Sequence, residues 1–166
     1  MKNILFLSAL LFSSLQAFSQ QINYEQKAFD FFRDSIIKHK NKKIYVKTEV
    51  QKWNHMNEAC LQQFNLKSKD TVNVTKIASK KISLSGNKKV KEVIGRDLSV
   101  VNKTIYVNPT YKFSADQYIS SITQRRGPSF TQYIIEMDEA GKISDWCEYV
   151  YESSYSNNLK SSIKSN

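Results

Sequence analysis

The sequence predicts an α+β fold: an N-terminal amphipathic helix packed on a curved, mainly antiparallel sheet that ends in a β-hairpin. Apolar residues at helical spacing after Asn23 predict the helix. Runs in which β-branched and aromatic residues alternate with polar residues predict the strands. The clearest two runs lie within residues 130–152, on either side of a short turn that contains glycine. A chain of 166 residues with these elements is expected to form one domain.

The first nineteen residues have the composition of a secretory signal peptide. Lys2 is their only charge, residues 4–15 form a short apolar run, and Ala17 and Ser19 are the small residues that signal peptidase reads. A retained membrane anchor is the alternative, but the run is short for a span of roughly 20 apolar residues. We therefore expect cleavage after Ser19, a periplasmic or secreted protein, and no transmembrane segment after cleavage.

The mature chain is expected to contain one domain, residues 20–152, and a flexible polar tail, residues 153–166. The tail has too few apolar residues to offset the entropy of ordering it. In the domain, Asn23 is a candidate N-cap for the first helix, and Gln26 completes a variant of the capping box. The patterns between this helix and the hairpin predict strands over 44–50, 71–78, 81–85, 98–101 and 104–108, and helices over 51–66 and 114–122.

The predicted hairpin has two arms and a short turn. Tyr133 and Ile135 share one face of the first arm, and Cys147 and Tyr149 share one face of the second. Residues 138–141 fit a type I turn followed by a glycine that takes positive φ. This region therefore predicts two adjacent antiparallel strands.

The aromatic N-terminal helix and the hairpin sequence Asp138-Glu139-Ala140-Gly141-Lys142-Ile143, with Trp146 and Tyr149 after it, resemble the NTF2-like (SnoaL-like) superfamily. Proteins of that superfamily curl a sheet into a cone around a pocket, with helices packed against it. The resemblance covers the end of the domain. The middle of the chain departs from it, since that family usually has more helix before its sheet. It implies a small-ligand pocket or an enzyme, and it assigns no pocket residue position by position.

The chain is basic, with a formal net charge of +10, and removal of Lys2 with the signal peptide leaves +9. Such a charge favours acidic partners: an anionic glycan, a lipid headgroup or an acidic protein. Export disfavours nucleic acid as the partner. The alternative is that the surface lysines only keep an exported domain soluble.

Two adjacent arginines, Arg125 and Arg126, are the most suggestive basic feature. They are predicted to lie in a turn, where guanidinium groups bind phosphate, sulfate or carboxylate. Lys88, Lys89 and Lys91 are expected to extend this site. The leading hypothesis is therefore a non-catalytic binding domain with a basic, tyrosine-rich surface.

The second hypothesis is a pocket of the NTF2-like type, lined by carboxylates and tyrosines such as Glu136, Tyr149 and Tyr151. Whether the protein is an enzyme stays open, with the balance against it, and no catalytic residue is assigned. His39 and His55 lack the spacing of a metal site, so neither a metal nor a cofactor is predicted.

Cys60 and Cys147 are the only cysteines. Two thiols in a small exported domain often pair. A bridge between them would close a long loop and stabilise the fold by on the order of 4 kcal/mol. The alternative is a pair of buried, unpaired thiols that pack as small hydrophobic groups.

Overall fold

The computed structural model describes residues 21–37, 44–50, 56–66, 75–77, 80–84, 90–94, 104–152 and 160–165. The predicted signal peptide lies outside the described residues, as do both histidines and the predicted strand 98–101. Two helices are present in the described chain. Helix α1 spans Tyr24–Phe31 and continues as a π-helical turn, Phe32–Ile36, and helix α2 spans Glu58–Gln63.

The rest of the regular structure is a mostly antiparallel sheet, so the chain is a mixed α+β protein. Its strands are β1 Ile44–Lys47, β2 Thr75–Lys76, β3 Val90–Glu92, β4 Thr104–Val107, β5 Tyr111–Lys112, β6 Tyr118–Arg126, β7 Ser129–Met137, β8 Ile143–Glu152 and β9 Lys160–Ser165.

Seven of these strands lie side by side in an open sheet, in the order β3-β1-β4-β6-β7-β8-β9. Strand β5 pairs with β6, and β2 pairs with β5. Strand β1 is parallel to both β3 and β4, whereas the other described pairings are antiparallel. The long strands β6, β7 and β8 follow one another along the chain and form the centre of the sheet.

Helix α1 covers one face of the sheet, which we call the α1 face. The helix begins where the Asn23 side chain accepts a hydrogen bond from Gln26 N at 3.0 Å. Its buried side chains include Ala28, Phe29 and, in the π-helical turn, Phe32. They pack against alternate residues of the central strands, because period-two alternation brings every second side chain to one face. These partners include Tyr118, Ile122, Tyr133, Ile135 and Met137.

Helix α2 covers part of the opposite face, which we call the α2 face. The Asn57 side chain accepts hydrogen bonds from Ala59 N at 3.0 Å and Cys60 N at 3.2 Å, which caps the helix. Leu61 packs against Ile119 and its neighbours in a second apolar cluster. Cys60 and Cys147 form a disulfide across this cluster, with their Cα atoms 5.6 Å apart. The unpaired-thiol alternative is therefore not what the structure contains.

The turn between β7 and β8 packs against the start of α1. Gly141 has a φ of +74°, and its N–H donates to Asp138 O at 2.9 Å. The Tyr24 hydroxyl donates to Glu139 O at 2.7 Å. A Cβ atom on Gly141 would lie 3.1 Å from a methyl carbon of Ile22. Contacts with Ile22 and Tyr24, near the start of the described chain, therefore hold the turn in place.

Three sequence-based expectations about secondary structure differ from the structure. The strand expected over 81–85 is wrong, because its described residues, 81–84, belong to no strand. The helix expected over 114–122 is wrong, because strand β6 begins at Tyr118. Tyr118 and Ile119 are both buried, on opposite faces, and a strand covered on both faces has no simple alternation of apolar and polar residues. Residues 160–165 of the predicted flexible tail form strand β9 against β8. Backbone pairing at a sheet edge does not require apolar side chains, so composition alone misses it.

Candidate functional site

Strands β6, β7 and β8 bring a cation and three aromatic residues together at one end of the α2 face. Arg125 is the register partner of Phe130, and Phe130 is the register partner of Tyr151. Partners across antiparallel strands have their side chains on the same face. Tyr149 lies two residues from Tyr151 and so shares that face. We call Arg125, Phe130, Tyr149 and Tyr151 the Arg125 patch.

The aromatic rings of the Arg125 patch contact one another. The rings of Phe130 and Tyr151 are stacked, with centroids 4.9 Å apart and an interplanar angle of 16°. The ring of Tyr149 is tilted against Phe130 at 6.4 Å. All three residues are half-buried, whereas Arg125 is exposed. The patch therefore presents ordered ring surface next to a guanidinium group.

Arg126 lies on the other face, so the two adjacent arginines do not form the joint site that the sequence predicted. Its register partner is Ser129, and its Nη2 donates to Gln124 Oε1 at 3.4 Å. The two arginines lie on opposite faces because both belong to strand β6, in which successive side chains point to opposite faces.

The acidic residues of this half of β8 also lie on the α1 face. Glu148 is the register partner of Tyr133, whose ring packs on Phe32. Burial raises the pKa of Tyr133 to about 12, and the carboxylate of Glu148 adds to the increase. Charge is therefore divided between the faces at this end of the sheet: Arg125 on one, and the two carboxylates of Glu148 and Glu152 on the other with Arg126.

A second row of side chains crosses the α2 face beside the Arg125 patch. Register partners from β1 to β8 define it without a break, because residues in register on neighbouring strands share a face. Its ends are a half-buried lysine and a half-buried tyrosine. In strand order, the row consists of Lys47, Tyr106, Thr123, Gln132 and Tyr149.

Lys91 extends the basic character of the α2 face towards the β3 edge. It is exposed, and its register partner Tyr45 lies two residues from Lys47, so all three share the face. The structure thus brings Lys91 and Arg125 to one face, although several strands separate them. Lys88 and Lys89, the other predicted lysines, lie outside the described residues.

Buried polar side chains form the floor of the α2 face next to Tyr106. Asn108 Nδ2 donates to Ser121 Oγ at 3.0 Å and to Thr123 Oγ1 at 2.9 Å. Gln132 Nε2 donates to Ser121 Oγ at 3.4 Å. The Oδ1 atom of Asn108 is buried and makes no hydrogen bond. Exchanging the oxygen and nitrogen of this amide would leave the nitrogen without a partner instead, so one polar atom stays unpaired in either orientation.

Glu136 is separated from the two tyrosines with which the sequence grouped it. It lies on the α2 face, but four residues from Gln132 along β7, and its carboxylate accepts a hydrogen bond from Gln117 Nε2. The apolar cluster of Ile134 and Cys147 lies in between. Glu136 therefore does not line the same site as Tyr149 and Tyr151.

A recess of about 190 Å³ lies beside Lys47, where β1 and β3 end. Two of its charged groups contact each other, since Lys81 Nζ lies 3.3 Å from Glu92 Oε1, and the Thr48 hydroxyl also donates to Glu92. The hydrogen bond from Thr48, followed by the contact with Lys81, holds the pKa of Glu92 below its usual value. Glu92 therefore already has two partners within the recess.

Phe130, Tyr45 and Tyr106 are site residues that sequence reasoning missed. A signal for Phe130 was present, because the turn at 138–141 sets the register of the hairpin and so the partner of Tyr151. No such signal exists for Tyr45 and Tyr106, since their strands meet through parallel and long-range pairing. Within the described ranges, no group of three or more His, Cys, Asp or Glu residues is arranged to hold a metal ion.

Searches of protein-family models, curated proteins and solved structures find no match to this chain. Neither described helix has the length and apolar character needed to cross a membrane. The geometry of the site is thus the basis for assigning a function.

Proposed function

We propose that the protein is an exported, non-catalytic binding domain that holds an anionic glycan on the α2 face. The Arg125 patch is the centre of the site, and Lys47 and Lys91 extend it. The observation that supports this most directly is the strand register, in which Arg125, Phe130 and Tyr151 are successive partners across three strands.

The separation of charge supports an anionic ligand. Arg125 shares its end of the face with aromatic and neutral polar residues, while Glu148 and Glu152 are on the opposite side of β8. An anion that approaches Arg125 therefore meets no carboxylate from this part of β8. A guanidinium group presents two parallel N–H donors that match a carboxylate or a sulfate.

The ring surfaces support a glycan among the anionic partners. A sugar ring has an apolar face of C–H groups and an edge of hydroxyl groups, so it packs on aromatic rings and accepts hydrogen bonds from polar neighbours. Phe130, Tyr149 and Tyr151 provide such rings, already ordered by their contacts with one another. Because these side chains are ordered before the ligand binds, less conformational entropy is lost on binding.

A small-ligand pocket of the NTF2-like type, with or without catalysis, is the second candidate. The unpaired Oδ1 of Asn108 favours it, because a ligand hydroxyl or amine group would satisfy this buried acceptor. Tyr149 would then belong to the wall of the pocket. A sheet that curves over the α2 face, as in that superfamily, is part of this proposal.

The test compares dextran sulfate with neutral dextran, which has the same backbone without the charges. Binding of the protein to each is measured by calorimetry over a series of salt concentrations. We expect binding to dextran sulfate that weakens as salt increases, because screening reduces contacts between exposed charges. Arg125→Ala should weaken binding by about tenfold, the effect of losing one charge-assisted contact.

Arg126→Ala is the matched control. It removes the same charge one residue away, but from the α1 face, so affinity should change by no more than about twofold. Tyr151→Ala should weaken binding in proportion to the loss of stacking. If the two arginine variants lose the same affinity for dextran sulfate, the interaction depends on net charge and not on the Arg125 patch. If neutral dextran binds as tightly as dextran sulfate, charge has no role in binding. Binding to anionic lipid vesicles but not to dextran sulfate would replace the glycan with a membrane surface.

A further inference from the structure

An open cleft of about 310 Å³ lies on the α1 face, between the start of α1 and strand β5. Its volume is at the lower end of the range for small-molecule sites, roughly 300–1,000 Å³. The walls are partly apolar, from Ile22 and Ile77, and partly aromatic, from Tyr24 and Tyr118. Gln21, Lys112 and Glu139 complete the lining.

Lys112 supplies a cation that is held in place at this cleft. Its Nζ lies 5.3 Å from the centroid of the Tyr118 ring, and Tyr118 is stacked on Tyr24 with ring centroids 4.4 Å apart. This cation–π contact orients the ammonium group. Among the described residues, Lys112 forms no salt bridge. A half-buried ammonium group without a carboxylate partner is a ready contact for an anion.

The hydroxyl of Tyr24, another polar group of the cleft, already makes a hydrogen bond. The Tyr24 hydroxyl donates to Glu139 O, so it offers no further proton to a ligand. Burial raises the pKa of Tyr24, and the neighbouring Tyr118 hydroxyl and then the carboxylate of Glu139, an exposed residue, add to the increase. The lining therefore combines one cation, one carboxylate, neutral polar groups and the apolar side chains of Ile22 and Ile77.

We propose that this cleft binds a small carboxylate with a short apolar body. The carboxylate contacts Lys112, and the apolar body lies against Ile22 and Ile77. A phosphate dianion fits less well, because one ammonium group cannot neutralise it and Glu139 repels it. This site is independent of the proposed glycan site, since Lys112 and its register partner Tyr118 belong to the α1 face.

The test uses hexanoate as the probe and hexanamide as its uncharged counterpart. Titrations are followed by NMR on the side-chain methyl groups of Ile22 and Ile77. We expect saturable shifts of both methyl signals with hexanoate, and affinity for hexanamide at least about tenfold lower. Lys112→Met keeps most of the side-chain length without the charge and should weaken hexanoate binding by about tenfold.

Two further variants make the result specific to charge. Lys112→Arg should keep affinity within about twofold, and Glu139→Gln should strengthen binding by about twofold because it removes a repelling charge. Glu139→Gln leaves the Tyr24 contact intact, since that bond uses the backbone carbonyl. Arg125→Ala should leave hexanoate binding unchanged, which separates this site from the glycan site.

The proposal is overturned if hexanamide binds as well as hexanoate, if folded Lys112→Met binds hexanoate like the original protein, or if the methyl signals do not shift. The melting temperature of each variant confirms that it is folded. If Lys112→Met does not fold, loss of binding on Lys112→Gln supports the proposal and retention of binding overturns it.

Discussion

Helix α1 brings Phe29 and Phe32 to one face of the sheet, whereas α2 brings Cys60 and Leu61 to the other. The centre of the α1 face is closed by packing: Phe32 is 0% exposed, and its ring lies 4.9 Å from that of Tyr133. The α2 face has a smaller apolar cluster, a disulfide and a polar floor. The two faces are therefore held in different ways: aromatic packing closes the centre of the α1 face, whereas a disulfide crosses the α2 face beside its buried polar side chains.

The strongest test of this comparison is Phe32→Ala on the α1 face. Removing a buried phenylalanine leaves a cavity, and we expect the free energy of unfolding to fall by about 3–5 kcal/mol. Urea denaturation measures the change. Phe31→Ala is the matched control. Phe31 is half-buried, and its ring centroid lies 6.5 Å from that of Trp146, so the free energy of unfolding should fall by less. Equal losses would mean that burial of Phe32 is not what closes the α1 face.

Replacing both cysteines by alanine tests the covalent link of the α2 face. The disulfide joins residues 87 apart, and its loss should lower the free energy of unfolding by about 4 kcal/mol in the chain-entropy model. The double variant is compared with the oxidised protein in urea. A change below about 1 kcal/mol would mean that packing alone holds α2, and the two faces would then be alike.

Ionisation of Tyr133, on the α1 face, should lower the stability of the protein at alkaline pH. Its pKa is raised to about 12 in the folded protein, mainly by burial, so the hydroxyl stays protonated there while the unfolded chain ionises near pH 10. The contribution of this group is therefore fully present below about pH 10 and is lost as pH rises towards 12, a fall of roughly 3 kcal/mol in the free energy of unfolding. Tyr133→Phe should flatten the fall. Its hydroxyl makes no hydrogen bond, so the variant should be nearly neutral at pH 7. A slope unchanged in Tyr133→Phe would contradict the assignment.

The N-caps give the smallest expected effect and compare the two helices directly. The Asn23 side chain accepts one hydrogen bond from the backbone of α1, while that of Asn57 accepts two from α2. Each change to alanine should cost about 1 kcal/mol, with Asn57→Ala the larger. In the variant without cysteines, the cost of Asn57→Ala should change, because the cap and the disulfide act on the same short helix. Strict additivity in a thermal unfolding series would show that they act separately.

The mixed α+β class could be predicted from the sequence because periodicity is a local property. The period of 3.6 after Asn23 and the period of two in β7 and β8 do not depend on the rest of the chain. Strand β6 could not be recognised, because Tyr118 and Ile119 are buried on opposite faces and break the alternation. The parallel position of β1 between β3 and β4 also has no local signal, since it depends on long-range pairing.

The site could be predicted only in its parts. Arg125 and Tyr151 were both candidates, but in different hypotheses, because the sequence does not say that β6 and β8 flank β7 in this register. The pairing of Arg125 with Arg126 was wrong for the same reason. Neighbours in sequence are on opposite faces once they belong to a strand, and only the register says which distant residues become neighbours in space.

The position of the two cysteines has a consequence for the time course of biosynthesis. Cys60 is made 87 residues before Cys147, so it is a free thiol for on the order of ten seconds while the intervening chain is synthesised. The chain contains no third cysteine, so it cannot form a wrong bridge within itself. The error open to it is a link between the Cys60 thiols of two unfinished chains. A high rate of synthesis should therefore increase the yield of covalent dimers rather than of scrambled monomers.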